Sequence, residues 1–192
     1  DTGIAGLTLG GGLGWLAGKY GLTCDNLLSA DVVTADGQFL MASANQNSDL
    51  FWGLRGGGGN FGVVTSFEYR LHPVGPVLAG MVLHPFEKAK EVLNFYRDFS
   101  SSAPDELNTI CVLMTSPEGF KVIAIAVCYN GAIEKGEQVL RSLKEFGPPL
   151  ADQIGPMSYL AVQTMMDGAF PHGRQYYWKA HLMQQISNAA ID

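Results

Sequence analysis

GLTLGGGLGW, Gly6 to Trp15, places three consecutive glycines among apolar residues, and RGGGGNFG, Arg55 to Gly62, repeats the device with four. A glycine inside a helix or strand costs about 0.5–1 kcal/mol relative to alanine. A chain that accepts this twice needs bare backbone in two places. Three explanations compete. The spacing Gly12, Gly14, Gly18 is a near-match to a dinucleotide turn, with Asp31 and Asp36 downstream as ribose ligands. That turn requires a parallel strand carrying the acid, whereas Asp36-Gly37 reads as an antiparallel hairpin turn. A P-loop fails because no Gly-Lys-Ser/Thr follows either run. The second explanation is tight loop packing with no ligand. The third is an extended aromatic cofactor and its phosphates lying against the main chain, where no Cβ keeps backbone N–H groups from anionic and ring-carbonyl oxygens.

Composition narrows the field. Of the 192 residues, 47% are hydrophobic and 16% charged, enough to build a sizeable core. A net charge of −6 with scattered lysines and arginines argues against nucleic-acid binding. No apolar run is long enough for a membrane span. Cys24, Cys111 and Cys128 fit neither a metal-ligand spacing nor a disulfide framework, and no metal site is expected.

Composition shifts near LHPVGPV, Leu71 to Val77, which sets the expected boundary between residues 1–75 and 76–192. In the first part the sequence predicts a strand end before the glycine turn and a short helix around Leu13–Tyr20. A hairpin follows through Val32–Thr34, Asp36-Gly37 and Gln38–Ala42. A helix capped by Ser48 or Asp49 comes next, then a strand in which Val64, Ser66 and Glu68 face opposite to Val63, Thr65, Phe67 and Tyr69. In the second part VLAGMVLHP is a strand and FEKAKEVLNFYRDFSSSA an amphipathic helix. ELNTICVLMTSP and FKVIAIAVCYNG make a hairpin about Pro117-Glu118-Gly119. AIEKGEQVLRSLKEFG is a second helix, and the core of GRQYYWKAHLMQQIS a last strand. The order β-α-β-β-α-β predicts an α+β fold, with helices on one face of a largely antiparallel sheet.

With those elements in view, GLTLGGGLGWLAGKYGLTCDNLLSADVVTADG and DLFWGLRGGGGNFGVVTSFEYRLHPV strongly resemble the FAD-linked oxidases of the vanillyl-alcohol-oxidase type, specifically the berberine-bridge-enzyme-like branch. The resemblance runs nearly continuously over residues 2–75 and is weaker beyond, where GRQYYWKAHLM is similar to the start of the family's substrate domain. It implies that residues 1–75 are the C-terminal half of a PCMH-type FAD-binding domain and residues 76–192 part of a substrate domain. It further implies FAD as cofactor, hydride transfer from an oxygen- or nitrogen-bearing carbon of a small molecule (sugar, alcohol or alkaloid) and dioxygen as acceptor. By the same resemblance Gly3, Gly6, Leu7, Gly10, Gly11, Gly12 and Gly14 lie along the cofactor, with Asn26 and Leu27 in a matching DNL element. Gly58, Gly59, Asn60, Phe61, Gly62, Val63 and Val64 approach its adenosine end.

The sequence departs from the family in what it covers. The family's N-terminal pyrophosphate loop, its flavin-linking histidine and cysteine, and the C-terminal return of the substrate sheet have no counterpart here, so the chain reads as a central portion. FAD is expected for the whole protein, and this portion by itself is expected to hold it poorly or not at all. A flavin-free remnant or interaction module stays open as the alternative, and a nicotinamide dehydrogenase as a third. Catalytic candidates are Tyr177 and Lys179, which would share one face of the QYYWKAH strand. His172 and His181 read as ordinary polar residues, His72 and His84 as structural ones before proline. Substrate identity and oligomeric state stay open.

Overall fold

The computed structural model describes residues 2–116 and 119–192, so the expected Pro117-Glu118 turn lies outside the described residues. The chain divides into two compact units between Pro73 and Val74.

The first unit is built on a three-stranded antiparallel sheet in the order β2-β1-β3. Strand β1 (Leu27–Val33) sits between β2 (Phe39–Ser43) and β3 (Val63–Tyr69). The hairpin forms as its turn signal predicts, with Val33 opposite Phe39. An antiparallel sheet here overturns the dinucleotide-turn reading and with it the nicotinamide alternative, which needs a parallel strand after the glycine turn.

Strict alternation fails along β3, for a local reason. Val32 pairs with Val64 and Asp31 with Ser66, leaving Thr65 as an extra residue. Leu28 is extra in the same way on β1. These bulges swing Val64 and Phe67 onto one face together, against Leu27, Ala30 and Val32. Helix α3 (Ser48–Leu54) completes that core with Phe51 and Leu54. Its N-cap is Asn47 in the left-handed conformation, not Ser48 or Asp49.

Where the sequence predicts a strand end there is instead a helix, α1 (Ile4–Leu9). Thr8 explains it: the side chain is buried, donates back to the Ile4 carbonyl at 2.7 Å and lies 2.6 Å from the Tyr69 hydroxyl. The tertiary contact with β3 overrides the local β-type composition. The helix expected from Leu13 is shorter, α2 (Ala17–Tyr20), ended by Gly21.

The second unit is an antiparallel sheet in the order β5-β6-β4-β7, with β8 also pairing β4. Its strands are β4 (Val77–Pro85), β5 (Leu107–Thr115), β6 (Lys121–Tyr129), β7 (Ala151–Asp152) and β8 (Gly155–Met157). Register places Leu78 and Val82 beside Tyr129 and Ile125, which in turn lie beside Leu107 and Cys111. Helix α4 (Ala89–Ser101) covers this face with Val92, Leu93, Phe95, Tyr96 and Phe99. The second expected helix is broken at Leu140 into α5 (Ile133–Val139) and α6 (Arg141–Glu145), and both pack on the same face through Ile133, Val139 and Leu143. Each buried aliphatic side chain contributes about 1.5–3 kcal/mol. The α+β reading with helices on one face of an antiparallel sheet thus holds.

The closing strand does not sit where the sequence placed it. Short β7 and β8 follow α6 directly, while residues 174–187 pair with no strand among the described residues. Aromatic alternation gives strand propensity, but a strand exists only against a hydrogen-bonding neighbour. Beyond α7 (Tyr159–Thr164) comes a short 3-10 turn, Asp167–Ala169, then a largely exposed stretch without strand pairing among the described residues, until α8 (Asn188–Ile191) returns to α4 through an Arg97–Asn188 hydrogen bond of 2.6 Å.

Candidate functional site

The two glycine runs, more than forty residues apart in sequence, meet in space. The Gly58 amide donates to the Leu9 carbonyl at 2.8 Å, joining the second run to the end of α1, where the first begins. The first run is held from behind by a 3-10 turn at Thr23–Asn26. Thr23 and Cys24 amides donate to the Gly12 and Gly11 carbonyls, each at 2.9 Å. Arg55 ties that turn to the second run: Nε donates to the Cys24 carbonyl at 2.9 Å and Nη2 to Asp25 Oδ1 at 3.0 Å.

The glycines themselves fall into two groups. Some are demanded by the chain's own packing. Gly12 has φ +87, and a Cβ there would lie 2.5 Å from Thr23 Oγ1. Gly62 has φ +139 and would meet the Val33 carbonyl oxygen at 2.4 Å, while Gly57 would meet that of Gly53 at 2.4 Å. Tight packing, offered by the sequence as a competing explanation, therefore accounts for part of both runs. Gly3, Gly6, Gly14 and Gly59 are different: among the described residues nothing stands within 4 Å of where a Cβ would be, and all four are exposed. Among the described residues, the amides of Gly12, Leu13, Gly56 and Gly59 have no acceptor within hydrogen-bond reach. The first unit thus presents open glycines and unsatisfied amides on two runs joined by a hydrogen bond. This fits a ligand rich in acceptor oxygens, as FAD is.

Other expected cofactor residues are taken up inside the fold. Asn26 spends its amide internally: Nδ2 donates to the Tyr20 and Leu22 carbonyls at 2.9 and 3.0 Å, and Oδ1 pairs with His72 Nε2 at 2.6 Å. His72 stacks on Tyr20 with centroids 4.1 Å apart, which fits its structural reading. Leu27 lies in the core and Val64 packs against it, whereas Val63 is exposed. Phe61 lies against Gly53 and Gly57, and Asn60 Nδ2 donates to the Gly57 carbonyl at 2.8 Å. Gly11 is buried, Leu7 half-buried and Gly10 exposed. Sequence reasoning passed over Arg55, Asp25 and Thr23. An arginine directly before a glycine run, and a Thr-Cys-Asp-Asn cluster rich in turn formers, were the available signals.

In the second unit Tyr177 and Lys179 are exposed in the unpaired segment, so the shared strand face that grouped them is absent. Tyr176 donates to the Pro171 carbonyl at 2.8 Å and packs on Phe170. His84 is fully buried, edge-on to Phe146, and Nε2 has no partner among the described residues; burial first and Lys88 second push its pKa down. Burial pushes Cys111 and Cys128 up to about 11. Among the described residues no helix is long and apolar enough to cross a membrane.

Comparison with known proteins agrees with this geometry. Residues 1–43 match the profile of an FAD binding domain. An FAD-linked oxidoreductase of Dictyostelium discoideum is 37% identical over 190 residues, covering 98% of this chain and 41% of that protein. Among solved structures, 6-hydroxy-D-nicotine oxidase from Arthrobacter nicotinovorans superposes with a TM-score of 0.79 at 29% identity, over 90% of this chain and 39% of that one. The berberine-bridge-enzyme-like protein 1 of Physcomitrella patens gives 0.75 at 25% identity, over 91% and 37%. The fold is that of FAD-linked oxidoreductases. Within that class the chain belongs to the vanillyl-alcohol-oxidase type and its berberine-bridge-enzyme-like branch, whose cofactor is FAD. It spans about two fifths of the length of the relatives it matches.

Proposed function

We propose that the chain supplies one wall of the FAD site, and part of the substrate domain, of an oxidoreductase acting on a small molecule. The first unit is then the FAD-binding part and the second the substrate part. The observation that carries this reading is the Gly58–Leu9 hydrogen bond, which makes one surface of two distant runs. Amides of Gly12, Leu13, Gly56 and Gly59 are the donors this wall offers to cofactor oxygens, and exposed Gly3 and Gly6 leave the backbone open to it. Bound FAD supplies the two-electron acceptor. The substrate is a sugar, alcohol or alkaloid-type amine with a hydrogen on an oxygen- or nitrogen-bearing carbon, and dioxygen is the final acceptor. An oxidase for 6-hydroxy-D-nicotine among the structural neighbours supports the nitrogen-bearing class. Tyr177 and Lys179 have no part in this assignment, because no strand pairing or hydrogen bond among the described residues orients them.

Titration of FAD with the purified chain tests the proposal, read by quenching of flavin fluorescence. One wall of a site gives weak, saturable binding, with a Kd on the order of 100 µM. Fluorescence unchanged up to millimolar protein refutes it. Anaerobic bleaching of the flavin by candidate alcohols, sugars and amines then identifies the substrate class.

A further inference from the structure

The two glycine runs are held together by a closed circuit of short segments, and one side chain completes it. Residues 55–58 reach Leu9 through the Gly58 amide. Residues 9–11 reach Cys24 through the bond from its amide to the Gly11 carbonyl. Cys24 returns to the start through its own carbonyl, which accepts from Arg55 Nε. Two of these three joints are backbone to backbone; the third is a side chain.

The Arg55 side chain is placed for this work by its surroundings. It leaves the C-terminal end of α3, and its guanidinium lies 5.6 Å from the centre of the Phe51 ring, which limits its rotamers. From there two separate nitrogens reach two acceptors, the Cys24 carbonyl and Asp25 Oδ1. Asp25 is fixed in turn, because its other oxygen accepts from the Leu22 amide at 2.9 Å. A planar fork with donors at Nε and Nη2 satisfies both acceptors at once, and a lysine ammonium does not reproduce that geometry. The pair is also partly open to solvent, with side-chain exposures of 34% and 47%. Such pairs add little to global stability. An exposed ion pair that closes a circuit around candidate ligand donors is therefore better explained by geometry than by stability.

Resting on the FAD reading above, we propose that Arg55 is a positioning residue. With Asp25 it fixes the separation of the two glycine runs, and so the spacing at which the amides of Gly12, Leu13, Gly56 and Gly59 present themselves to the cofactor. It does not touch the reacting atoms. Its effect passes through Cys24 and the carbonyl of Gly11.

The test compares the wild-type chain with Arg55→Ala, Arg55→Lys and Asp25→Asn by three measurements: FAD titration, urea unfolding, and amide hydrogen exchange. Arg55→Ala is expected to raise the FAD Kd about tenfold or more, with Arg55→Lys recovering little of the loss and Asp25→Asn about half of it. Exchange of the Thr23 and Cys24 amides should speed up by a similar factor. Exchange within β1 and the unfolding midpoint should stay near wild type, a separation that a merely structural role would not produce. The assignment is overturned if Arg55→Ala binds FAD within twofold of wild type. It is equally overturned if affinity falls only in step with global stability, or if Arg55→Lys behaves as wild type. A wild-type chain that binds no FAD overturns the functional reading itself, and this role with it.

Discussion

Replacing Gly62 with alanine, beside a control at Gly59, separates glycines that the chain needs from glycines left open for a ligand. The two positions share one run and differ in surroundings. At Gly62, φ is +139 and a Cβ would sit 2.4 Å from the Val33 carbonyl oxygen and 3.1 Å from its carbon. Val33 cannot retreat without disturbing its pairs with Phe39 and Val63 on both sides of β1. The conformation alone costs an alanine about 1–3 kcal/mol. Forced overpacking against the carbonyl adds about 1–3 kcal/mol. Gly62→Ala should therefore destabilise the first unit by about 3 kcal/mol, roughly a hundredfold in the folded-to-unfolded ratio. Gly59 has ordinary φ and nothing within 4 Å, so Gly59→Ala should change stability by no more than about 0.5 kcal/mol. Urea unfolding followed by circular dichroism measures both. A Gly62→Ala chain as stable as wild type, or a Gly59→Ala chain losing about 2 kcal/mol, would refute the division.

Other outcomes follow from the second unit. His84 is buried with its pKa pushed below the ordinary 6.5, so the folded state resists protonation that the unfolded state accepts. Stability from this group is full above about pH 6.5 and declines as pH falls below it. His84→Leu should flatten the fall in unfolding free energy as pH drops below about 6.5; an unchanged slope contradicts this. With thiols pushed up to about 11, Cys111 and Cys128 should react slowly with Ellman's reagent in the native chain at pH 8 and fully once unfolded, and fast native labelling of both would overturn the assignment. Leu143 is fully buried among Val92, Ile123 and Leu140, so Leu143→Ala should cost about 2–5 kcal/mol in urea unfolding, and a loss under about 1 kcal/mol would show that the core collapses around it.

What the sequence made legible was whatever local chemistry decides. The Asp36-Gly37 turn, the apolar face of α4 and the apolar strand runs of β5 and β6 each carry their signal in a few adjacent residues, and each forms as read. Features set by contacts between distant residues were hidden. α1 is a helix because Thr8 reaches Tyr69, sixty-one positions away. The bulges at Leu28 and Thr65 reverse which residues face inward, and only the pairing of β1 with β3 reveals them. The QYYWKAH segment has strand composition but pairs with no strand among the described residues.

The glycine runs show the same division inside the site. That they bring bare backbone together was readable from repetition and flanking aromatics. That Gly12 is needed by Thr23 and Gly62 by Val33, while Gly59 is needed by no neighbour, is a property of the folded chain. Arg55 was overlooked for a related reason: its acceptors lie on a turn thirty residues earlier.

Nuclear magnetic resonance of the nitrogen-15-labelled chain during FAD addition addresses the central claim most directly, because it reports on both runs in one titration. Amide signals of Gly12, Leu13 and Gly14 and of Gly56 to Phe61 should shift together, along one saturation curve. Shifts confined to a single run, or absent from both while the protein remains folded, would contradict the claim that the two runs form one seat for the cofactor.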